Sequence, residues 1–191
     1  MTTIVACGDG STVWMAADSA TNVYERPIIG GVRKLLRLRA GAGYQVLLGV
    51  AGAGGLPGCL AANLKIDAVP LPGEDVHAWA HAIACAITEI ADDAGLMEDG
   101  ALDGSVLLGW GGRLWTVSQS CACAHPDGRA AIGSGEGPAI GALDVLLDQG
   151  TEPAVAVTRA AQVGITRDRY SGGPVQVERL AGPDEPDEGD R

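Results

Sequence analysis

Apolar and polar positions along the chain alternate or recur in patterns that predict strands first and helices afterwards. Residues 3–6 and 12–17 are two β-rich runs joined by a turn with an Asp-Gly pair, which predicts a hairpin at the start. Residues 33–38 and 45–50 form a second pair around a Gly-Ala-Gly turn. We expect these two pairs to lie together in one antiparallel sheet.

Apolar residues at three- and four-residue spacing predict helices in the middle and near the end of the chain. The longest helix has one apolar face and should end at Gly95. The last helix should take Thr151 as its N-cap and stop at Gly164. The predicted helices are residues 54–66, 76–94, 138–148 and 152–163.

The order of the segments indicates the fold class. Residues 105–110 and 113–118 flank a Gly-Gly turn, residues 130–132 are a candidate third strand, and residues 175–180 are the closing strand. The order is sheet, two helices, sheet, two helices and a strand. Strands and helices therefore do not alternate as they do in a parallel βαβ protein. We therefore predict an α+β fold with two antiparallel sheets and helices outside each, built as one domain over residues 1–180.

Composition and charge narrow the classes of partner. The chain has 191 residues, 47% of them apolar, and 13 basic against 24 acidic side chains give a formal net charge of −11. A basic surface for a phosphate backbone is lacking, so no nucleic-acid partner is expected. Residues 181–191 are rich in Asp, Glu, Pro and Gly and are predicted to be a disordered acidic tail.

The pattern at the N-terminus favours a cytoplasmic protein. It has no positively charged region followed by a long apolar stretch, so a secretory signal is not expected. Residues 44–64 are uncharged and reach transmembrane length, but their glycines and proline indicate strand, turn and short helix. We therefore expect no membrane partner.

Thiols and candidate metal ligands are few. The odd number of five cysteines, set mostly in Ala-, Val- and Ile-rich segments, favours reduced core thiols, and redox chemistry is not expected. His77 and His81 lie four residues apart on the long helix, and Cys121, Cys123 and His125 lie close together. Neither group has the ligand pattern of a zinc site. We therefore expect neither a metal nor an organic cofactor.

The second residue carries candidate chemistry. Thr2 is small enough for removal of Met1 to be expected, and removal would leave an α-amine on the residue that carries a hydroxyl. An α-amine has an ordinary pKa of about 7.7–8.0, so it can act as the base for that hydroxyl near neutral pH. Thr2 alone could then supply both nucleophile and base.

Six short motifs, each containing Thr, Asp, Lys, Ser or Gly, follow one another along the chain. They are Thr2-Thr3-Ile4-Val5, Ala16-Ala17-Asp18-Ser19, Val32-Arg33-Lys34, Val50-Ala51-Gly52, Gly133-Ser134-Gly135 and Arg167-Asp168-Arg169-Tyr170-Ser171-Gly172-Gly173. In this order, over residues 2 to 180, the chain resembles the proteasome β-subunit and HslV branch of the N-terminal nucleophile (Ntn) hydrolases. The Asp-x-Tyr-Ser-Gly-Gly block is more similar to proteasome β-subunits than to HslV.

The resemblance implies a four-layer αββα fold and a threonine endopeptidase that works through an acyl-enzyme on Thr2. It implies that Lys34 lies beside Thr2 and that Asp18 holds Lys34. The chain has only two lysines, and an amine, unlike a guanidinium, can release a proton at working pH. The resemblance also assigns Ser134, Asp168 and Ser171 to the Thr2 amine, the oxyanion hole to Gly52, and the substrate pocket to Thr21, Val32, Val50 and Gly54.

The same resemblance implies peptide or unfolded-protein substrates, a homo-oligomeric ring and an ATP-dependent unfoldase as partner. Two departures stand out: Ala20 replaces a frequent Arg, and Pro57-Gly58 is expected to interrupt the first helix. Two alternatives remain open at this point. One is a non-catalytic ring or scaffold subunit, and the other is a small-amide hydrolase of the Ntn type.

Overall fold

The predicted fold class is confirmed in a computed structural model, which describes residues 2–23, 26–29, 31–70 and 74–182. Two antiparallel sheets face each other, and helices cover the outer side of each, giving a four-layer αββα sandwich. The strands are β1 (Ile4–Gly8), β2 (Val13–Ala17), β3 (Ala20–Val23), β4 (Arg26–Ile29), β5 (Leu35–Arg39), β6 (Gln45–Gly52), β7 (Met97–Glu98), β8 (Ala101–Leu102), β9 (Gly104–Trp110), β10 (Arg113–Ser118), β11 (Cys121–Ala124), β12 (Arg129–Ile132) and β13 (Gln176–Leu180). The helices are α1 (Leu56–Asn63), α2 (Val76–Asp93), α3 (Glu136–Asp148) and α4 (Pro153–Arg167).

The strand order is β12-β1-β2-β13 in the first sheet and β11-β10-β9-β6-β5 in the second. The prediction that the first two strand pairs share one sheet is therefore wrong. In the structure, β6 pairs with β9, whereas β1 pairs with β12. Separate sheets let the apolar faces of the two hairpins cover each other, because Ile4 and Met15 pack with Leu47 between the sheets. Within a single sheet, these faces would need another layer to cover them.

Three apolar layers hold the sandwich together. One lies between the two sheets, one between the first sheet and α3 and α4, and one between the second sheet and α1 and α2. Successive residues of a central strand therefore enter different layers: Ile4 belongs to the middle layer and Val5 to the one under α3 and α4. This explains why the central strands have continuous apolar runs, as strands covered on both faces do.

Three small elements differ from the prediction. The hairpins β3–β4 and β7–β8 and the edge strand β11 lie in segments whose patterns predict no strand. The expected interruption of the first helix is also wrong. α1 begins at Leu56, so Pro57 lies in its first turn, where a missing N–H costs no helical hydrogen bond.

Both predicted boundaries of α4 are wrong, and each has a physical reason. The N-cap is Glu152, whose carboxylate accepts from the N–H groups of Ala154 and Val155. The helix continues through Gly164 to Arg167. A Cβ at Gly164 would overlap Cγ2 of Thr3 and stand 3.0 Å from Cβ of Ala139. This glycine is therefore needed for close packing against the start of β1, not for a helix stop.

The predicted acidic tail, residues 181–191, lies outside the described residues from position 183 onward. Its separation from a domain of residues 1–180 stays a prediction. No helix in the described part of the chain combines the length and apolar character needed to cross a membrane.

Replacing Gly164 by Ala tests the close packing of α4. We expect Gly164→Ala to lower the free energy of unfolding by about 1–3 kcal/mol, as overpacking does in a core. Gly141 of α3 is the matched control, because a Cβ there meets nothing within 4 Å. Gly141→Ala should raise the free energy of unfolding by about 0.5–1 kcal/mol through helix propensity. Urea unfolding followed by circular dichroism measures both, and stabilisation by both substitutions would contradict the packing argument.

Candidate active site

Thr2 lies just before β1 and is only 3% exposed. Its main-chain nitrogen donates to Oγ of Ser134 at 3.2 Å, and its carbonyl oxygen accepts from the N–H of Gly135 at 3.2 Å. Gly133 has a φ of +94°, and a Cβ there would overlap the Thr2 carbonyl. The glycines around Ser134 therefore let the turn after β12 approach the Thr2 backbone closely.

Lys34 contacts the hydroxyl of Thr2 and the carboxylate of Asp18 at the same time. Its Nζ donates to Oγ1 of Thr2 at 2.9 Å and to Oδ1 of Asp18 at 2.6 Å. Lys34 is 3% exposed and Asp18 is fully buried. A buried ion pair is retained only when both charges are well hydrogen-bonded. The structure therefore brings together the three residues that the first three motifs predicted.

The carboxylate of Asp18 is held by backbone donors from three segments. Oδ1 also accepts from the N–H of Thr3 at 3.0 Å, and Oδ2 accepts from the N–H groups of Ala20 and Gly172, each at 3.1 Å. Because Ala20 contributes its backbone here, the exchange of Arg for Ala at this position leaves the contact intact. These hydrogen bonds fix the orientation of the Asp18 carboxylate, which in turn fixes the position of the Lys34 ammonium.

The surroundings of Lys34 act on its pKa in opposite directions. Burial, the largest effect, holds the pKa below its ordinary value because the charged form loses water. The hydrogen bond and charge of Asp18, with the charge of Asp168, oppose this. The net direction is downward. The group that touches the Thr2 hydroxyl is therefore a cation that gives up a proton more readily than a free lysine.

A second network of hydrogen bonds, centred on Asp168, reaches the Thr2 nitrogen. Oδ2 of Asp168, at the end of α4, accepts from the hydroxyls of Ser134 and Ser171, each at 2.6 Å. Ser171 is in turn 2.8 Å from the hydroxyl of Thr3. The three residues predicted to act on the Thr2 amine therefore form one network, and Ser134 accepts a hydrogen bond from the Thr2 nitrogen.

Thr3 belongs to the polar network of the site and was missed by sequence reasoning. It is fully buried, donates its N–H to Asp18, and contacts Ser171 through its hydroxyl. The one signal in the sequence is that a second Thr stands in the first position of a strand otherwise made of apolar residues. Thr3 links the Asp18 network to the Asp168 network.

A cavity of about 180 Å³ opens beside Thr2 and Lys34. Gly52 lies on its wall, and all four residues predicted for the substrate pocket line it. Ala20, Ala53 and Pro57 also line it and were not predicted. The lining of this cavity is Thr2, Ala20, Thr21, Val32, Lys34, Val50, Gly52, Ala53, Gly54 and Pro57.

Gly52 has a backbone conformation that favours glycine. Its φ is +127°, and a Cβ there would overlap the carbonyl oxygen of Asp103. This position at the end of β6 is therefore closed to larger residues.

A larger cavity of about 540 Å³ is lined by His77 and His125. Both imidazoles already have partners: Nδ1 of His77 accepts from Nε1 of Trp115 at 3.2 Å, and Nε2 of His125 is 2.8 Å from Oγ1 of Thr116. No Ser, Thr, Cys or Lys side chain lies among its described lining residues. A nucleophile beside a candidate base is found at the smaller cavity, which is therefore the candidate active site.

Solved structures share this architecture over nearly the whole chain. BPH from Thiobacillus denitrificans superposes with a TM-score of 0.75 at 19% identity, covering 95% of this chain and 100% of that one. The chain has a proteasome β-subunit and HslV-like fold. HslV from Trypanosoma brucei gives a TM-score of 0.67 at 21% identity, covering 94% and 99% of the two chains. Anbu, an ancestral β-subunit from Yersinia bercovieri, gives 0.70 at 18% identity, covering 94% and 81%.

These structural similarities show the proteasome-like fold. The chemistry of this chain has to be inferred from the geometry of its own site. BPH has also been solved in complex with epoxomicin. No family model matches the sequence, and no curated protein matches it. The predicted resemblance to the proteasome-like Ntn hydrolases is thus confirmed at the level of fold.

Replacing Asp18 by Asn tests the buried ion pair. We expect Asp18→Asn to lower the free energy of unfolding by about 3–5 kcal/mol, because the ammonium of Lys34 loses its counter-charge in the interior. Glu178→Gln is the control. Glu178 pairs with Arg33 and Arg37 nearer the surface, where such pairs contribute about 0–1 kcal/mol.

The free energy of unfolding of the Asp18→Asn variant should also depend on pH. Without Asp18 the pKa of Lys34 falls further below its ordinary 10.5. Between these two values the unfolded chain binds more protons than the folded one, so the free energy of unfolding rises with pH. The folded wild type keeps its Lys34 proton up to a higher pH than the folded variant does, so the deficit of Asp18→Asn should shrink as the pH rises towards the wild-type pKa of Lys34, which lies below 10.5. Urea titrations across that range measure it, and a deficit that is constant or grows would argue against a buried Lys34 charge.

Proposed function

We propose that this protein is a threonine endopeptidase whose nucleophile is Thr2 after removal of Met1. The observation that carries the proposal is the 2.9 Å contact between Nζ of Lys34 and Oγ1 of Thr2, made inside a buried ion pair and beside a cavity. A lysine that served only the ion pair with Asp18 would not need to reach the threonine hydroxyl.

Activation of Thr2 would use its own nitrogen. Once Met1 is gone, this nitrogen is an α-amine, with an ordinary pKa of about 7.7–8.0, and can accept the proton of Oγ1. Ser134, 3.2 Å from that nitrogen, would orient the amine, and Asp168 would orient Ser134. The Lys34 ammonium, which gives up a proton more readily than a free lysine, would favour the alkoxide that develops on Oγ1 by sharing the proton of its 2.9 Å hydrogen bond with it.

The reaction would then proceed through an ester. Oγ1 of Thr2 attacks the peptide carbonyl carbon, and the backbone N–H of Gly52 stabilises the oxyanion. The Thr2 ammonium returns its proton to the leaving amine, which breaks the peptide bond and leaves an acyl-enzyme. A water molecule, deprotonated by the same amine, attacks the ester carbon; the bond from that carbon to Oγ1 then breaks, the Thr2 ammonium returns the proton to Oγ1, and the carboxylic acid product leaves.

The lining of the cavity favours small to medium apolar side chains before the cleaved bond. Val32 and Val50 give it apolar walls, and Thr21 adds one hydroxyl. Lys34 is its only charged lining residue among those described, and that charge is paired with Asp18. A charged substrate side chain would therefore enter without a counter-charge, which is costly.

We also infer assembly into a homo-oligomeric ring that acts on peptides or unfolded proteins, with an ATP-dependent unfoldase as a partner and the cytoplasm as its location. The support is the fold, which HslV and the β-subunit-like Anbu share. An open Thr2 site on a single chain would cleave unfolded proteins without restraint, so a chamber formed by several chains is the physical expectation for such chemistry.

Thr2→Ala should abolish peptide hydrolysis, whereas Thr2→Ser should keep part of it because hydroxyl and amine both persist. A panel of fluorogenic peptides with apolar residues before the cleaved bond measures the activity. Intact mass measures removal of Met1. Epoxomicin, with which BPH has been solved in complex, is a second probe, and the wild type should bind it more tightly than Thr2→Ala does.

Light scattering on the same samples should give equal masses for wild type and Thr2→Ala, each above the mass of one chain. Hydrolysis by Thr2→Ala would overturn the proposed nucleophile. Retention of Met1 with no activity would favour the non-catalytic subunit, and hydrolysis of small amides without peptides would favour the amidase.

Lys34→Arg should lower kcat by on the order of 10²-fold although the charge is kept, because a guanidinium does not release a proton at working pH. Lys65→Arg is the matched control, since Lys65 is exposed and is the only other lysine. Steady-state kinetics and a pH profile of kcat check the result. Turnover near that of the wild type would mean that Lys34 serves only as a fixed charge.

A further inference from the structure

Cys121 and Cys123 form a pair on β11, at the edge of the second sheet. Side chains two residues apart on a strand point to the same side, and these two Sγ atoms are 3.9 Å apart. Both residues are exposed. The expectation that the cysteines are core thiols is therefore wrong for this pair, because the small residues of β11 form an edge strand instead of a buried one.

The other three cysteines are less accessible. Cys7 is buried, and burial is the main cause that raises the pKa of its thiol to about 12. Cys59 and Cys85 are half-buried. Since the thiolate is the reactive form and must also be reached, a soluble oxidant meets Cys121 and Cys123 first.

We propose that Cys121 and Cys123 are a dithiol site that reacts with small-molecule disulfides and closes to a disulfide across Ala122. Among the described residues, no group of three His, Cys, Asp or Glu side chains is arranged to hold a metal ion, which favours disulfide exchange over metal binding. His125, the nearest imidazole in sequence, is engaged with Thr116 at 2.8 Å.

The exchange balances with glutathione disulfide as oxidant. The thiolate of one cysteine attacks a glutathione sulfur, so the S–S bond of glutathione disulfide breaks and one glutathione thiolate leaves. The second cysteine loses its proton to solvent and attacks the first cysteine's sulfur, which breaks the mixed disulfide. The second glutathione leaves and takes up a proton. Two protein thiols are oxidised, and one glutathione disulfide is reduced to two glutathione molecules.

The thiol of Cys121 holds its proton more firmly than an ordinary thiol does. The hydrogen bond with Cys123 and the charge of its thiolate raise the pKa of Cys121. One thiolate with a protonated neighbour 3.9 Å away is therefore the expected reactive form. A mixed disulfide formed on either sulfur has the second thiol within reach.

The edge position permits closure but makes it reversible. Cα atoms two residues apart on an extended strand are about 6.6–6.8 Å apart, at the upper end of the range for disulfides. Closure therefore requires β11 to contract, and in the described structure it pairs only with β10. Because the extended strand strains the disulfide, excess reduced glutathione should reduce it again.

The proposal is tested in buffers that differ in their ratio of reduced glutathione to glutathione disulfide. The reaction is quenched with acid, and the free thiols of the unfolded chain are then alkylated. The fully reduced chain should take up five labels. With glutathione disulfide in excess, the wild type should lose two labels and carry no glutathione, and peptide mapping should place the bond between Cys121 and Cys123. Cys121→Ser and Cys123→Ser should each lose one label and retain one bound glutathione instead.

Cys59→Ser is the control and should still lose two labels. A bond from Cys85 to either thiol would overturn the proposal, as would stable glutathione adducts on wild-type Cys121 or Cys123. Full labelling of the wild type at every buffer ratio would also overturn it. Because no readout involves peptide cleavage, the outcome is independent of the proposed function.

Discussion

The buried ion pair between Lys34 and Asp18 is the constraint on which the candidate site depends. Moving an ammonium and a carboxylate out of water costs several kcal/mol per ion, and their attraction offsets this cost only if the remaining polar atoms are also bonded. The backbone N–H groups of Thr3, Ala20 and Gly172 satisfy the carboxylate, and the Thr2 hydroxyl accepts from the ammonium. Four separate segments must therefore meet within hydrogen-bond distance, so the ion pair specifies their arrangement as well as the charge beside Thr2.

The antiparallel topology explains how Lys34, Asp18 and Ser134 reach the same place as Thr2. Thr2 stands before the start of β1, and Asp18 follows the end of β2, which is adjacent because β1 and β2 pair from Ile4↔Ala17. β12 also runs antiparallel to β1, so Ser134 follows the strand end that pairs with Ile4. Lys34 precedes β5 in the facing sheet and reaches across the gap between the sheets. Each of these residues adjoins a strand end, so their polar side chains meet at one edge of the two sheets instead of within the apolar layers.

Much of this site could be predicted from sequence because six short motifs, in order, resemble those of the proteasome-like Ntn hydrolases, and that resemblance assigned most of the site residues. Residue type alone points to Lys34, one of only two lysines, and to Thr2, whose α-amine and hydroxyl could act together. What depended on tertiary packing could not be predicted. Gly164 has the pattern of a helix stop, yet it is needed because Thr3 packs against it. Likewise, hairpin signals locate strand pairs but not the sheet that each joins, since a strand's neighbour is decided by which apolar faces cover each other. The exposure of Cys121 and Cys123 follows from β11 lying at an edge, which its composition does not reveal.

One group of the proposed reaction is supplied by covalent processing and not by the fold. The Thr2 nitrogen donates to Ser134 in the described structure, and an amide nitrogen can do this as well as an amine can. Only an amine has a lone pair that accepts the hydroxyl proton. The contacts of Lys34, Asp18 and Asp168 do not require that lone pair, so folding and site formation can precede removal of Met1. In the proposed mechanism, the chemical state of one nitrogen therefore decides between a peptidase and an inert subunit of the same fold.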